Sequence, residues 1–220
     1  MLLLQTTVAT QPTPELSLWD LAVSGGWIMI VLAIMLVISM YIFFERYIVI
    51  KRVSRVEDTF MKKIKDYIHD GEIESALNLC RQSDTPYSRL ISKGISRIGR
   101  PMNDVLVAIE NTGNLEVAAL SKGFSMLATT AGAAPMLGFL GTVIGMVQAF
   151  YAIAASGNSA QIGDFAGGIY TALVTTVGGL IVGIIALFGY NYLVSRLSNV
   201  MNLMEAKTME FMDLLNEPAK

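Results

Sequence analysis

The sequence predicts an all-α integral membrane protein. It has three transmembrane helices, the last two long and extending into the cytoplasm, with a small helical cytoplasmic domain between the first and second. Three observations carry this. Hydrophobic residues make up 53% of the 220 and charged residues 15%, against roughly 25% charged in an average soluble domain; mean hydropathy is +0.53. The apolar residues gather into long uninterrupted runs. All 16 Lys and Arg fall into two stretches, 45–122 and 196–220.

The N-terminal stretch, 1–24, holds no Lys or Arg. Its first residues lack a basic n-region and offer only three leucines, so a signal peptide is not expected. Leu16, Leu18, Trp19 and Leu21 read as a short interfacial helix with an aromatic anchor. The first span, 25–44, has Ser39 as its one polar side chain after Trp27 and stops at Glu45-Arg46. About 20 apolar residues cross a hydrocarbon core. From 123 to 195 the chain has 73 residues and one formal charge, Asp164. That is too long for one span, and Ser156-Gly157-Asn158-Ser159 marks a polar turn. The division is therefore span two at 123–155, an outward turn at 156–163 and span three at 164–195. At about 1.5 Å per residue these helices exceed a ~30 Å core and continue beyond it.

Lys and Arg accumulate on the cytoplasmic side of a membrane. With three spans, residues 45–122 (13 basic) and the helical tail 196–220 (3 basic) share one face. The N-terminus and the 156–163 turn share the other. The cytoplasmic segment is itself helical. Phe60, Ile64 and Ile68 form one stripe, ended by Asp70-Gly71; Ile73, Ala76, Leu77 and Cys80 form the next. A third, carrying Leu90, Ile91, Ile95 and Ile98, lies between Pro86 and Pro101. In the tail, Leu203, Phe211, Leu214 and Leu215 alternate with charges at helical spacing.

Composition excludes much chemistry. One cysteine (Cys80) forbids an internal disulfide, and one histidine (His69) leaves no His-ligated metal site or serine triad. No cluster of nucleophile and base exists, so neither an enzyme, a cofactor nor a metal is expected. A net charge of −2 gives no basic field for nucleic acid.

Spans two and three carry unusual small and hydroxyl residues. Gly138, Gly141 and Gly145 line span two; Gly167, Gly168, Gly178, Gly179 and Gly183 line span three. Glycine costs a helix about 1 kcal/mol and is repaid only where helix backbones approach closely. Three spans offer too few partners within one chain, which argues for a homo-oligomer, with these glycines between subunits. Thr142 sits mid-span in span two, Thr175 and Thr176 in span three, with Thr171 one turn earlier. Two readings stand: packing residues bonded to their own helix, or the lining of a polar lumen. No Glu, Lys, Arg or His lies between 123 and 195. A proton path needs a titratable group in the bilayer, so proton conduction would require another chain to bring the acid.

The run from Ala134 to Met146, with Pro135-Met136-Leu137-Gly138-Phe139-Leu140-Gly141-Thr142-Val143 at its heart, closely resembles the signature helix of the MotA/TolQ/ExbB proton-channel family. Tyr170 to Leu180 resembles that family's last helix. Ser17-Leu18-Trp19-Asp20, Gly25-Gly26-Trp27 and Phe44-Glu45-Arg46-Tyr47 resemble the ExbB/TolQ first span, and Gly71, Ala76-Leu77, Cys80 and Pro86 its cytoplasmic region. The likeness covers residue 16 to about 200.

The resemblance implies a subunit of a proton-driven channel, a homopentamer in the bacterial inner membrane with a periplasmic N-terminus and cytoplasmic C-terminus. The ring would surround ExbD/TolR-like helices that carry the membrane aspartate, and would drive a TonB/TolA-like transducer. Thr142 and Thr176 match the family's lumen-facing threonines, and Pro135 its helix-distorting proline. Thr171 stands where many ExbB chains have glutamate, so this chain departs there from the family's second carboxylate. Three spans favour ExbB/TolQ over MotA. ExbB, TolQ and gliding-motor roles remain alternatives, as does a scaffold that does not conduct.

Outside the spans, Glu45 and Arg46 are inner-boundary charges that pair with each other or serve as a stop signal. Arg46, Lys51, Arg52 and Arg55 are candidates for anionic membrane lipid. Gly138, Gly141, Gly145, Gly179 and Pro135 are the candidate helix-packing residues.

Overall fold

A computed structural model describes residues 25–54, 58–156 and 162–216. All the regular structure among them is α-helical. The helices are α1 Gly26–Val53, α2 Asp58–His69, α3 Ile73–Ser83, α4 Pro86–Ile95, α5 Met102–Leu120, α6 Phe124–Ser156 and α7 Ile162–Asn216. Three of them contain segments long and apolar enough to cross a membrane: Gly26–Val53, Phe124–Ala155 and Phe165–Asn216. The chain is thus an all-α membrane protein, as its composition predicts. The interfacial helix expected around residue 19 and the turn around Asn158 lie outside the described residues.

The chain divides into two compact units. Among the described residues, one draws on 25–33 and 134–181 and the other on 34–133 and 182–216; α1, α6 and α7 each contribute to both.

The second unit holds the short helices and a packed apolar core. Phe60 and Ile64 of α2, Ala76 and Cys80 of α3, Ile91 and Ile95 of α4, Ile109 of α5 and Leu193, Val200 and Phe211 of α7 are all buried in one cluster. The stripes read from the sequence on α2, α3 and α4 enter it, except that Ile98 lies beyond the end of α4 and is exposed. Each helix end has a local cause. Asp84 takes a left-handed φ of 40° and closes α3, its N–H donating to the Cys80 carbonyl. Thr85 caps α4: its hydroxyl accepts from the Ser88 N–H (3.3 Å) while its own N–H donates to the Ser88 hydroxyl (2.9 Å). This reciprocal box satisfies two donors that a helix start leaves orphaned, and Pro86 at the first helical position has no N–H to satisfy. Arg89 joins three helices. It grips both oxygens of Glu116 on α5 (2.6 and 2.7 Å) and meets Asp84 Oδ1 at 2.6 Å. The Glu116 hydrogen bond, opposed by burial and helped by Asp84, holds the guanidinium more firmly protonated than usual.

α5 goes beyond the three helices read from the sequence in this segment. The tail pattern from Leu203 onward is the last part of α7, which runs as one helix of 55 residues, about 80 Å long at the usual rise.

Candidate functional site

The sequence-predicted threonines and glycines meet in the first unit, where α6 lies against α7. The contact is made of atoms that leave no room for side chains. A Cβ on Gly138 would lie 2.9 Å from the Thr175 carbonyl oxygen and 3.1 Å from the Gly179 Cα. On Gly145 it would lie 2.6 Å from the Gly168 carbonyl oxygen and 2.8 Å from the Ala172 Cβ. On Gly179 it would meet the Ala134 carbonyl oxygen at 2.5 Å. Positions 134, 138, 141 and 145 of α6 therefore interlock with 168, 172, 175 and 179 of α7, each set spaced by three or four residues along one helix face. α1 joins α7 at Gly178, where a Cβ would meet the Met29 Sδ at 2.8 Å.

This corrects one expectation. The glycines of span two were assigned to contacts between subunits. The structure spends Gly138, Gly141 and Gly145 within the chain, because a single neighbouring helix, α7, presents the matching small residues. Large apolar side chains of α6 stay uncovered: Met136, Phe139, Val143 and Val147 are exposed, as are Leu173, Val177 and Leu180 of α7.

Close approach positions the hydroxyls. Thr142, one turn beyond Gly138, and Thr176, one turn beyond Ala172, hydrogen-bond to each other across the two helices, and either can be the donor. Both hydroxyls also lie within donating distance of the same two carbonyls. Thr142 Oγ1 is 3.4 Å from the Gly138 oxygen and 3.3 Å from the Ala172 oxygen. For Thr176 Oγ1 the distances are 3.2 and 3.3 Å. Both side chains are only partly buried. The Gly138 and Ala172 carbonyls belong to the small-residue row itself, so the glycines that bring the helices together also bring both oxygens within reach of both threonines.

The other two threonines are placed differently. Thr175 is fully enclosed, 0% exposed; its side chain packs on Gly141 and its hydroxyl donates to the Ala172 carbonyl at 2.9 Å. That geometry makes it a helix-contact residue in the chain, because it presents no surface to an open lumen. Thr171 is half-buried one turn earlier, its carbonyl 3.2 Å from the Thr175 hydroxyl. Pro135 sits inside α6. Lacking an N–H, it leaves the carbonyl one turn earlier without its helical donor, immediately before the row begins.

In the second unit, Glu45 and Arg46 pair. Arg46 Nε and Nη2 donate to the two Glu45 oxygens at 3.1 and 2.7 Å, and Nη1 donates to the Ala119 carbonyl in the last turn of α5 at 3.1 Å. Sequence alone left the pair and the stop signal as alternatives; the third bond, 73 positions away, had no local signal. Among the described residues no group of three or more His, Cys, Asp or Glu is placed to hold a metal. Cys80 is 2% exposed, and burial pushes its thiol up to about 12.

A close pair of membrane-helix hydroxyls beside a glycine row, in a stretch without Glu, Lys, Arg or His, can solvate charge but cannot carry it. The sequence pattern that defines the MotA/TolQ/ExbB proton channel family matches residues 82–206, more than half the chain and the whole of this site. The chain belongs to the MotA/TolQ/ExbB proton channel family. The relatives similar to this MotA/TolQ/ExbB member are named as biopolymer transport proteins. An ExbB homolog of Methanothermobacter thermautotrophicus is 31% identical over 83% of this chain and 64% of its own length. An ExbB-like protein of Synechocystis is 30% identical over 88% of this chain and 76% of its own. The ExbB of Xanthomonas campestris is 40% identical over 39% of this chain and 33% of its own. The chain thus spans under two-thirds of the Methanothermobacter and Xanthomonas relatives. The MotA/TolQ/ExbB family is one of channels and transporters, not of enzymes.

Proposed function

We propose that this chain is the ring-forming subunit of an ExbB-type, proton-driven energy transducer. Several copies, five by resemblance, surround ExbD/TolR-like helices in the bacterial inner membrane. The N-terminus is periplasmic and the C-terminus cytoplasmic. Proton flow through the assembly powers a TonB-type transducer. The observation that carries this reading is the Thr142–Thr176 pair. It is polar, partly open and set in membrane helices whose one carboxylate between 123 and 195 is Asp164, with no Lys, Arg or His.

A proton carrier must come from a partner, and a membrane aspartate is the group that fits. An unpaired carboxylate in hydrocarbon costs several kcal/mol. Two hydroxyls that can turn a donor toward it lower that cost, while their own protons stay in place at any physiological pH. Thr175 keeps the helices in contact, and the exposed apolar faces of α6 and α7 are available to lipid and to neighbouring copies.

The test is proton flux in liposomes containing the chain with its ExbD/TolR-like partner. Replacing a threonine by valine keeps the shape and removes the donor. A hydrogen bond to a charged group contributes about 1.5–3 kcal/mol, so Thr142→Val/Thr176→Val is expected to lower flux by about ten- to a hundredfold in an intact ring. Wild-type flux in that double variant would remove the hydroxyls from the mechanism. Absence of flux in the wild-type complex would favour a non-conducting scaffold.

A further inference from the structure

α1 and α7 form a second feature that the channel reading does not use. In the second unit, a pocket of about 150 Å³ opens where the apolar part of α1 gives way to charge, lined by Tyr47, Ile50 and Lys51 of α1, Ser54 just beyond it, and Leu193 and Arg196 of α7. The Lys51 ammonium stands 5.6 Å from the centre of the Tyr47 ring. The Arg196 guanidinium stands 5.3 Å from the Tyr192 ring and donates Nε and Nη2 to the Tyr192 hydroxyl at 3.0 and 2.9 Å. Among the described residues neither cation is paired with a carboxylate. Two positive charges thus face one small pocket with aromatic rather than anionic neighbours.

Beside it lies an apolar groove of about 320 Å³ along the same two helices, lined by Met40, Phe43 and Phe44 of α1, Ile185 and Gly189 of α7, and Leu127 of α6. Positions 40, 43, 44, 47 and 51 recur at helical spacing, so pocket and groove lie on one face of α1. Between them sits an aromatic cluster in which Phe43 is 6.2 Å from Tyr47 and 6.3 Å from Tyr192, ring centre to ring centre. Phe43 and Lys51 are separated by about 12 Å of helix.

We infer that this α1–α7 face binds an anionic membrane phospholipid, its phosphate between Lys51 and Arg196 and its acyl chain in the groove along Phe43 and Gly189. The order of groups matches that molecule from end to end: cations at the edge of the span, amphipathic tyrosines at headgroup depth, hydrocarbon beyond. A soluble phosphate would use only the cationic pocket, and a zwitterionic lipid would bring its phosphate together with a headgroup cation that Lys51 and Arg196 repel.

The full chain, stripped of lipid in detergent, is titrated with phosphatidylglycerol, phosphatidylcholine and glycerol 3-phosphate, and binding is read by native mass spectrometry. Phosphatidylglycerol is expected to bind at least tenfold more tightly than either of the others. Each cation near an anionic lipid contributes about 1 kcal/mol, roughly fivefold. Lys51→Gln/Arg196→Gln should therefore weaken phosphatidylglycerol binding by about 25-fold. Lys51→Arg/Arg196→Lys, which keeps both charges, and Lys93→Gln on the exposed side of α4 should retain it. Undiminished binding in the double glutamine variant overturns the site. Glycerol 3-phosphate binding as tightly as the lipid reduces it to an anion pocket and overturns the lipid assignment. Equal affinity for phosphatidylcholine does the same for the role of charge.

Discussion

Gly145→Ala adds one methyl group where α6 and α7 meet through backbone atoms. Its Cβ would stand 2.6 Å from the Gly168 carbonyl oxygen and 3.0 Å from the Ala172 nitrogen, both backbone atoms that no rotamer change can move. A carbon and a carbonyl oxygen settle at about 3.3 Å or more, so α7 must retreat by roughly 0.7 Å. Overpacking of this kind costs about 1–3 kcal/mol. Alanine also favours a helix over glycine by about 1 kcal/mol, which would blur the result if read alone. Gly132→Ala removes that difficulty: it lies on the same helix with nothing within 4 Å of its Cβ, and carries the same propensity gain. The difference between the two variants is then the steric term alone. At about 2–4 °C per kcal/mol for a chain of this size, Gly145→Ala should melt at least 2 °C below Gly132→Ala in detergent, and the wild type between them or close to the latter. The assay is thermal unfolding of the full chain, paired with native mass. Equal melting of the two variants would refute the intrachain seam. So would a Gly145→Ala protein that melts normally while its oligomer falls apart, since that pattern belongs to a glycine between subunits.

Four further outcomes follow from the second unit. Arg89→Ala should destabilise the chain by about 1–2 kcal/mol, since the guanidinium is 40% exposed while Glu116 is 16% exposed and left unpaired; Arg89→Lys should recover little, because the Glu116 grip is bidentate. Thermal unfolding measures both. Phe211→Ala should cost about 3–5 kcal/mol, and Gly94→Leu should also destabilise, because its Cβ would meet the Phe211 ring at 2.5 Å; unchanged melting in both would displace Phe211 from the core. Thr85→Ala should cost about 1 kcal/mol by removing the α4 cap, visible as the same shift in unfolding. Cys80 gives a pH dependence: with its pKa raised by burial from 9.0 to about 12, the neutral thiol's contribution is complete below pH 9.0. It is lost as pH rises toward 12, because the unfolded thiol ionises first. Maleimide at pH 8 should label the native protein negligibly and the unfolded protein fully; rapid native labelling would contradict the burial.

What the sequence made legible was whatever a bilayer or a helix period writes directly. The three long apolar helices follow from composition, since hydrocarbon tolerates almost no charge. The α2, α3 and α4 stripes follow from spacing. α5 left no clean stripe: Val105 and Ile109 are buried, but Val107 and Leu115 on the same helix are exposed, so its apolar positions do not mark one face. The glycine row announced close approach without naming the partner, because small-residue spacing sets how near two backbones come, not which two. Thr175 and Thr176 look alike in sequence. About 100° of helix rotation separates them, and only the placement of α6 decides that one is sealed and the other meets Thr142. The Arg89–Glu116 grip, 27 positions apart, has no periodic signature at all.

The shared carbonyls at Thr142 and Thr176 have one more consequence. Two hydroxyls own two protons, and here they face each other and two common acceptors, Gly138 and Ala172. One proton closes the link between the threonines and the other goes to a carbonyl. The chain of donation therefore runs either from Thr142 through Thr176 or in reverse, with the same oxygens in the same places. The site is a small reversible dipole: its polarity can invert by rotation about two C–O bonds, without net charge, without a proton leaving and without either helix moving.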